Sequence, residues 1–118
     1  MTTNLTTGAR GETLAVQYLQ NKGYKILEKN WRCRHWEIDI IASKGNMLHI
    51  FEVKTRTNLK YGYPEESIGY SKMQSLRNAA EEYQYKHPEW KYLQFNALAI
   101  LLRPSSEIEY MLIEDVYF

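Results

Sequence analysis

Little in this 118-residue chain can staple it together or anchor it to a membrane. Its one cysteine, Cys33, excludes an intrachain disulfide, and because the residues after Met1 (Thr2, Thr3, Asn4, Thr6, Thr7) are polar rather than an apolar core, secretion is not expected. The longest apolar stretch, Ala97 to Leu102, falls far short of the roughly 18 residues that suggest a membrane span. With only 6 Gly and 3 Pro and no repeat or low-complexity tract, fibrous and disordered classes fall away too. A single cytoplasmic domain over residues 1–118 is expected, with residues 1–7 a flexible N-terminus.

Net charge is nearly absent as well, at +1, which excludes a histone-like basic protein. The total hides an asymmetry. Residues 1–60 hold 10 of the 15 Lys and Arg but 5 of the 14 acids, for +5, while residues 61–118 sum to −4. The first half can therefore present a basic face built from Lys22, Lys25, Lys29, Arg32, Arg34, Lys54, Arg56 and Lys60. Aromatics are plentiful, with 10 Tyr and 3 Trp, and they serve equally as core, as interface or as platforms for bases.

Leu14, Ala15, Tyr18 and Leu19 fall at helical spacing between Ala9 and Lys22, with Gly23 as terminator. Tyr24 to Asn30 reads as a short strand that leads into a basic, aromatic segment, Trp31 to Trp36. Glu37 to Ala42 and Met47 to Lys54 read as a hairpin around Ser43-Lys44-Gly45-Asn46. Thr55 to Gly69 reads as a loop. Ser71 and Gln74 suggest a cap for a second helix, striped by Met73, Leu76, Ala79, Ala80 and Tyr83 and closed at His87-Pro88. Strands Tyr92 to Leu102 and Ile108 to Val116 follow, so the order is α-β-β-β-α-β-β, an α/β or α+β sheet domain with two helices.

The third strand is apolar on both faces, with Leu48 and Ile50 on one and Met47, Phe51 and Val53 on the other, yet it carries Glu52 and Lys54. Strand alternation puts those two on one face, as it does Glu37 and Asp39 on the preceding strand. Buried carboxylates need partners or a cation. A Glu52–Lys54 ion pair or a solvated strand end satisfies that need; so does a hard divalent ion such as Mg²⁺ on one or two carboxylates, with a lysine beside the attacking water. Such a centre suits phosphodiester hydrolysis, with the basic half holding flanking phosphates.

Asp39, a short hairpin and Glu52-Val53-Lys54 resemble the Asp…Glu-X-Lys signature of the PD-(D/E)XK nuclease superfamily. Further motifs run along nearly the whole chain: Gly8-Ala9-Arg10-Gly11-Glu12, Ala15, Leu19, Gly23-Tyr24, Asn30-Trp31-Arg32-Cys33, Glu37-Ile38-Asp39, Phe51-Glu52-Val53-Lys54-Thr55-Arg56, Gly62, Lys72 and Ala80. In these the chain resembles the YraN-like family of bacterial proteins, restriction-endonuclease-like domains that look similar to archaeal Holliday junction resolvases. The resemblance implies an α-β-β-β-α-β core, a central mixed sheet flanked by two helices, with an added C-terminal strand. It implies that Asp39 and Glu52 bind Mg²⁺, or Mn²⁺ in its place, that Glu12 reaches the same centre, and that Lys54 acts on the nucleophilic water. Arg10, Arg32, Arg34, Arg56, Lys60 and Lys72 are the expected phosphate contacts. The chain departs from the family pattern at Trp36, where Gly is usual, and at Asn96, where Asp is usual.

The expected activity is a Mg²⁺-dependent endonuclease on duplex, single-stranded or branched DNA. The alternatives are a nucleic-acid-binding domain that keeps the fold without turnover, and a protein-interaction module whose C-terminal aromatics, Tyr110, Tyr117 and Phe118, serve a homodimer. Cys33 and His35 lack a second ligand pair for zinc, and His49 and His87 lack a nucleophile for a hydrolase triad. No small-molecule cofactor is expected.

Overall fold

A computed structural model describes residues 7–57, 69–103, 105 and 107–116. Its elements are α1 (Thr7–Asn21), β1 (Lys25–Cys33), β2 (Trp36–Lys44), β3 (Met47–Arg56), α2 (Tyr70–Lys86), β4 (Tyr92–Leu102) and β5 (Ile108–Ile113). The order matches the expected α-β-β-β-α-β-β. The five strands form one mixed sheet in sequential order, antiparallel except for the parallel pair β3–β4, which α2 connects.

Each face of the sheet is covered by one helix because each carries its own apolar set. Ala15 and Leu19 of α1 pack with Tyr24, Ile40, Ala42, Phe51, Leu98 and Ile100, whereas Met73, Leu76, Ala79, Ala80 and Tyr83 of α2 pack with Ile38, Ile41, Leu48 and Ile50. The split of β3 into a Leu48/Ile50 face and a Phe51/Val53 face is as the alternation predicts. No helix among the described residues is long and apolar enough to cross a membrane.

Helix α1 ends in a Schellman motif. Gly23, at φ +95°, lets its own N–H reach Gln20 O and the Tyr24 N–H reach Leu19 O, each at 3.0 Å. Helix α2 begins two residues earlier than a Ser71 cap suggests: Gly69 is its N-cap, with no side-chain capping bond. Strand β1 runs on through Cys33 rather than stopping at Asn30, since Trp31, Arg32 and Cys33 pair with Ile38, Glu37 and Trp36. Strand β3 likewise continues to Arg56, because parallel pairing with β4 extends through Thr55↔Ile100 and Arg56↔Leu101. Strand β5 stops at Ile113, short of Val116, and Asp115 beyond it adopts φ +57°. Residues 1–6, Lys60, Gly62, Tyr117 and Phe118 lie outside the described residues.

The pairing of β2 with β3 ends at Ile40↔Phe51, so beyond that point the sheet forks. On one side of the fork stand Trp36 to Ile38, still paired with β1, with Asp39 at the branch; on the other stand Glu52 to Arg56, still paired with β4.

Candidate active site at the fork

The fork gathers the charged residues that would otherwise be misplaced in a central sheet. Asp39 bridges it, its Oδ2 accepting the Val53 N–H at 2.8 Å, so a carboxylate takes the place of a ladder carbonyl. Glu52 is buried, 5% exposed at its side chain, and both lysines that meet it do so at one oxygen: Lys54 Nζ lies 3.3 Å and Lys72 Nζ 3.5 Å from Oε1. Oε2 is buried with no hydrogen-bond partner among the described residues. An unsatisfied buried carboxylate oxygen is unfavourable and calls for a cation or water.

Asp39 shows the same tension. Burial, and then the neighbouring Glu52 charge, push its carboxyl up to about 7, against the opposing pull of the Val53 N–H and Lys72. The Glu52 carboxylate thus opposes the charge of Asp39, and a positive charge between them would relieve that opposition.

A pocket of about 250 Å³ opens at this point, lined by Gly8 and Glu12 of α1, Asp39, and Val53, Lys54, Thr55 and Arg56 of β3. Helix α1 can come this close because residue 11 is glycine: a Cβ there would run into the side chain of Thr55. Both helices start at this end of the sheet, and their partial positive N-terminal charge favours an anion there.

The expected residues thus separate into groups. Asp39, Glu52 and Lys54 come together, and Lys72 joins them as a partner of Glu52 rather than as a free phosphate contact. Glu12 lines the same pocket, but its Oε2 accepts from Asn30 Nδ2 at 3.1 Å, and among the described residues no three His, Cys, Asp or Glu side chains are grouped to hold one metal ion. Arg56 lines the pocket, Arg10 is exposed on α1, Arg32 pairs with Glu37 at 3.0 Å, and Arg34 lies over the Trp36 ring at 5.7 Å. The sequence motifs include Gly8 and Asn30 but give neither a place at the pocket, and they give no role to the Val53 N–H. Asn30 adopts positive φ (+51°), and its residue type, which tolerates that conformation, was the one sequence signal for a kink there.

The donor set fits Mg²⁺ or Mn²⁺. Such ions take one or two carboxylates and complete their shell with water, and Asp39 with the unsatisfied Oε2 of Glu52 supplies that number.

Asn96 has a different use. Its Oδ1 accepts the Asp115 N–H at 3.0 Å, which turns Nδ2 toward His49 Nδ1, also at 3.0 Å. Both side chains are buried, and Val116 N–H to Phe95 O at 2.8 Å ties the same C-terminal segment to β4. Tyr110, expected as a free interface aromatic, instead stacks on Tyr18 with centroids 4.4 Å apart.

A pH effect follows from His49. Burial lowers its pKa below 6.5, against the favourable charge of Glu114 and alongside the adverse charge of Lys44; Gln94 bonds the ring and Tyr24 packs edge-on to it. A depressed folded pKa contributes stability that is present above 6.5 and is lost as pH falls through the lower folded value. Melting curves from pH 7.5 to 5 should therefore show the wild type losing more stability than His49→Gln, and parallel curves would refute the assignment.

The fold is a two-helix, mixed-sheet α+β domain of the expected class, and its sheet brings Glu52 and Lys54 together beside Asp39. The model of the uncharacterised protein family UPF0102 matches residues 11–100. A UPF0102 protein of Rhodococcus opacus is 40% identical over 114 residues, covering 94% of this chain and 97% of its own length. One of Syntrophus aciditrophicus is 41% identical over 119 residues, covering 99% and 92%, and one of Thermodesulfovibrio yellowstonii is 45% identical over 102 residues, covering 86% and 91%. The chain belongs to family UPF0102.

Proposed function

We propose that this protein is a divalent-cation-dependent endonuclease that hydrolyses DNA phosphodiester bonds at the β2–β3 fork. The observation that carries the proposal is the pairing of a buried, half-satisfied Glu52 with an Asp39 whose ionisation Glu52 opposes. Bound at these two carboxylates, Mg²⁺ would supply Lewis-acid polarisation of the phosphate.

The chain's own groups have the remaining tasks. Asp39 and Glu52 hold their carboxylates at a fixed separation because one is tied to the Val53 backbone and the other to Lys54 and Lys72. Lys54, on the pocket wall, orients the water that attacks phosphorus. Arg56 and the helix N-termini favour the phosphate's negative charge at the same opening. The new P–O bond forms as the P–O3′ bond breaks, and the proton ends on the 3′-hydroxyl. Cytoplasmic action goes with such a substrate.

Incubation with single-stranded, duplex and branched DNA in Mg²⁺ or Mn²⁺ tests the reading. Products bearing 5′-phosphate and 3′-hydroxyl ends are expected, with none from Lys54→Met. A second reading, DNA binding without turnover, draws on the Glu12–Asn30 hydrogen bond, which occupies an oxygen of the third acid. It predicts steeply salt-dependent affinity and no product with any of these DNAs.

A further inference from the structure

Beyond the fork, β1 and β2 continue as a two-stranded ribbon, Trp31 to Cys33 paired with Trp36 to Ile38, about 10 Å long at strand rise. Among the described residues it pairs with no other strand. Its faces differ in chemistry. One carries Asn30, Arg32, Glu37 and Asp39, in line with the pocket; the other carries Trp31, Cys33, Trp36 and Ile38, and its indoles pack partly on the α2-side core.

The tip is unusual. Cys33 pairs with Trp36 across the two-residue turn Arg34-His35, in which Arg34 alone has positive φ (+58°). The β2–β3 turn has the same pattern with Gly45 (φ +62°) at the equivalent place, the residue such turns favour. Arg34 holds a conformation that disfavours side chains, and its guanidinium lies 5.7 Å from the Trp36 ring, with the His35 ring 5.1 Å away on a tilt. Arg34 forms no ion pair among the described residues, whereas Arg32 is neutralised by Glu37. Lys86 caps the other indole, Trp31, at 5.9 Å.

We infer that this ribbon is a strand-separating wedge, and that the enzyme's substrate is DNA with an unpaired base beside the cleaved phosphodiester. The inference rests on the nuclease reading above. The scissile strand follows the Asp39 face into the pocket. The complementary strand is turned to the opposite face, where an extruded base stacks on the Arg34–Trp36 platform, as bases do on guanidinium and indole planes. The exposed, unpaired Arg34 neutralises the adjoining phosphate. A continuous duplex has no base free to occupy the platform and gains only phosphate contacts.

Fluorescence anisotropy in EDTA, with a labelled forked DNA and a blunt duplex of the same sequence, tests the wedge apart from cleavage. Wild type should prefer the fork. Arg34→Gly relieves the turn, so its melting temperature should rise while its fork affinity falls about tenfold and its duplex affinity falls much less. Trp36→Ala should repeat the selective loss, and Trp36→Phe should keep most of the preference. An equal loss on fork and duplex, or no loss on either, overturns the wedge. Cleavage of every DNA without fork preference overturns the wedge and leaves the nuclease reading standing; fork preference in EDTA with no cleavage in Mg²⁺ does the reverse.

Discussion

Asp39→Asn is expected to reduce Mg²⁺-dependent cleavage about 10³-fold, because losing one of two carboxylates removes several kcal/mol of cation-mediated stabilisation. The same substitution should stabilise the metal-free protein at pH 8. The folded environment raises the Asp39 carboxyl from 3.8 to about 7, so the ionised side chain opposes folding, and asparagine can still accept the Val53 N–H without a charge. A raised folded pKa contributes stability that is full below 3.8 and is lost as pH rises through about 7. The advantage of the Asp39→Asn variant over wild type should accordingly be absent near pH 3.5, grow between 4 and 7, and level off above. Thermal melts in EDTA, read beside cleavage rates in Mg²⁺, check both halves. A variant that loses activity and stability together at pH 8 would assign Asp39 a purely architectural role.

Gly11→Val should be the most damaging single change on α1. A Cβ at position 11 would meet the Thr55 side chain, with Cβ at 2.9 Å and Cγ2 at 3.0 Å, and this short β-branched group cannot swing aside. Helix α1 must lift away from β3. Overpacking of this kind costs about 1–3 kcal/mol, and each kcal/mol corresponds to roughly 4–8 °C in melting temperature for a domain near this size. Because Gly8 and Glu12 line the pocket from the same helix, Mg²⁺-dependent activity should fall further than the folded fraction does. In a Thr55→Gly background the cost of Gly11→Ala should largely disappear. If it persists there, the close approach is not its cause.

Helices, strands and their order could be read from the sequence because their signals are local: helical spacing before Gly23, the stripe from Met73 to Tyr83, two apolar faces on β3. Misplaced boundaries lay where a partner strand overrode local preference. Asn30 looks like a strand end and is a kink, since pairing with β2 carries β1 on to Cys33. Thr55 and Arg56 look like loop and belong to β3, because β4 lies alongside. Ser71 looks like a cap, but the chain enters α2 through Gly69.

At the site, alternation along β3 was enough to bring Glu52 and Lys54 together, and the Glu52–Lys54 ion pair weighed from spacing does form. The fork was not legible. It depends on where the pairing of β2 with β3 stops, and no residue type marks that point. For the same reason the bond from Val53 to Asp39, the approach of Gly11 to Thr55 and the turn of Lys72 toward Glu52 could not be read, since each joins segments far apart in the chain.

The Val53 amide has one further consequence. Its proton is held by a carboxylate that also faces the proposed cation, so its solvent exchange rate depends on the charge state and position of Asp39. A single main-chain N–H thereby becomes a spectroscopic gauge of the centre, legible by NMR without substrate, turnover or label.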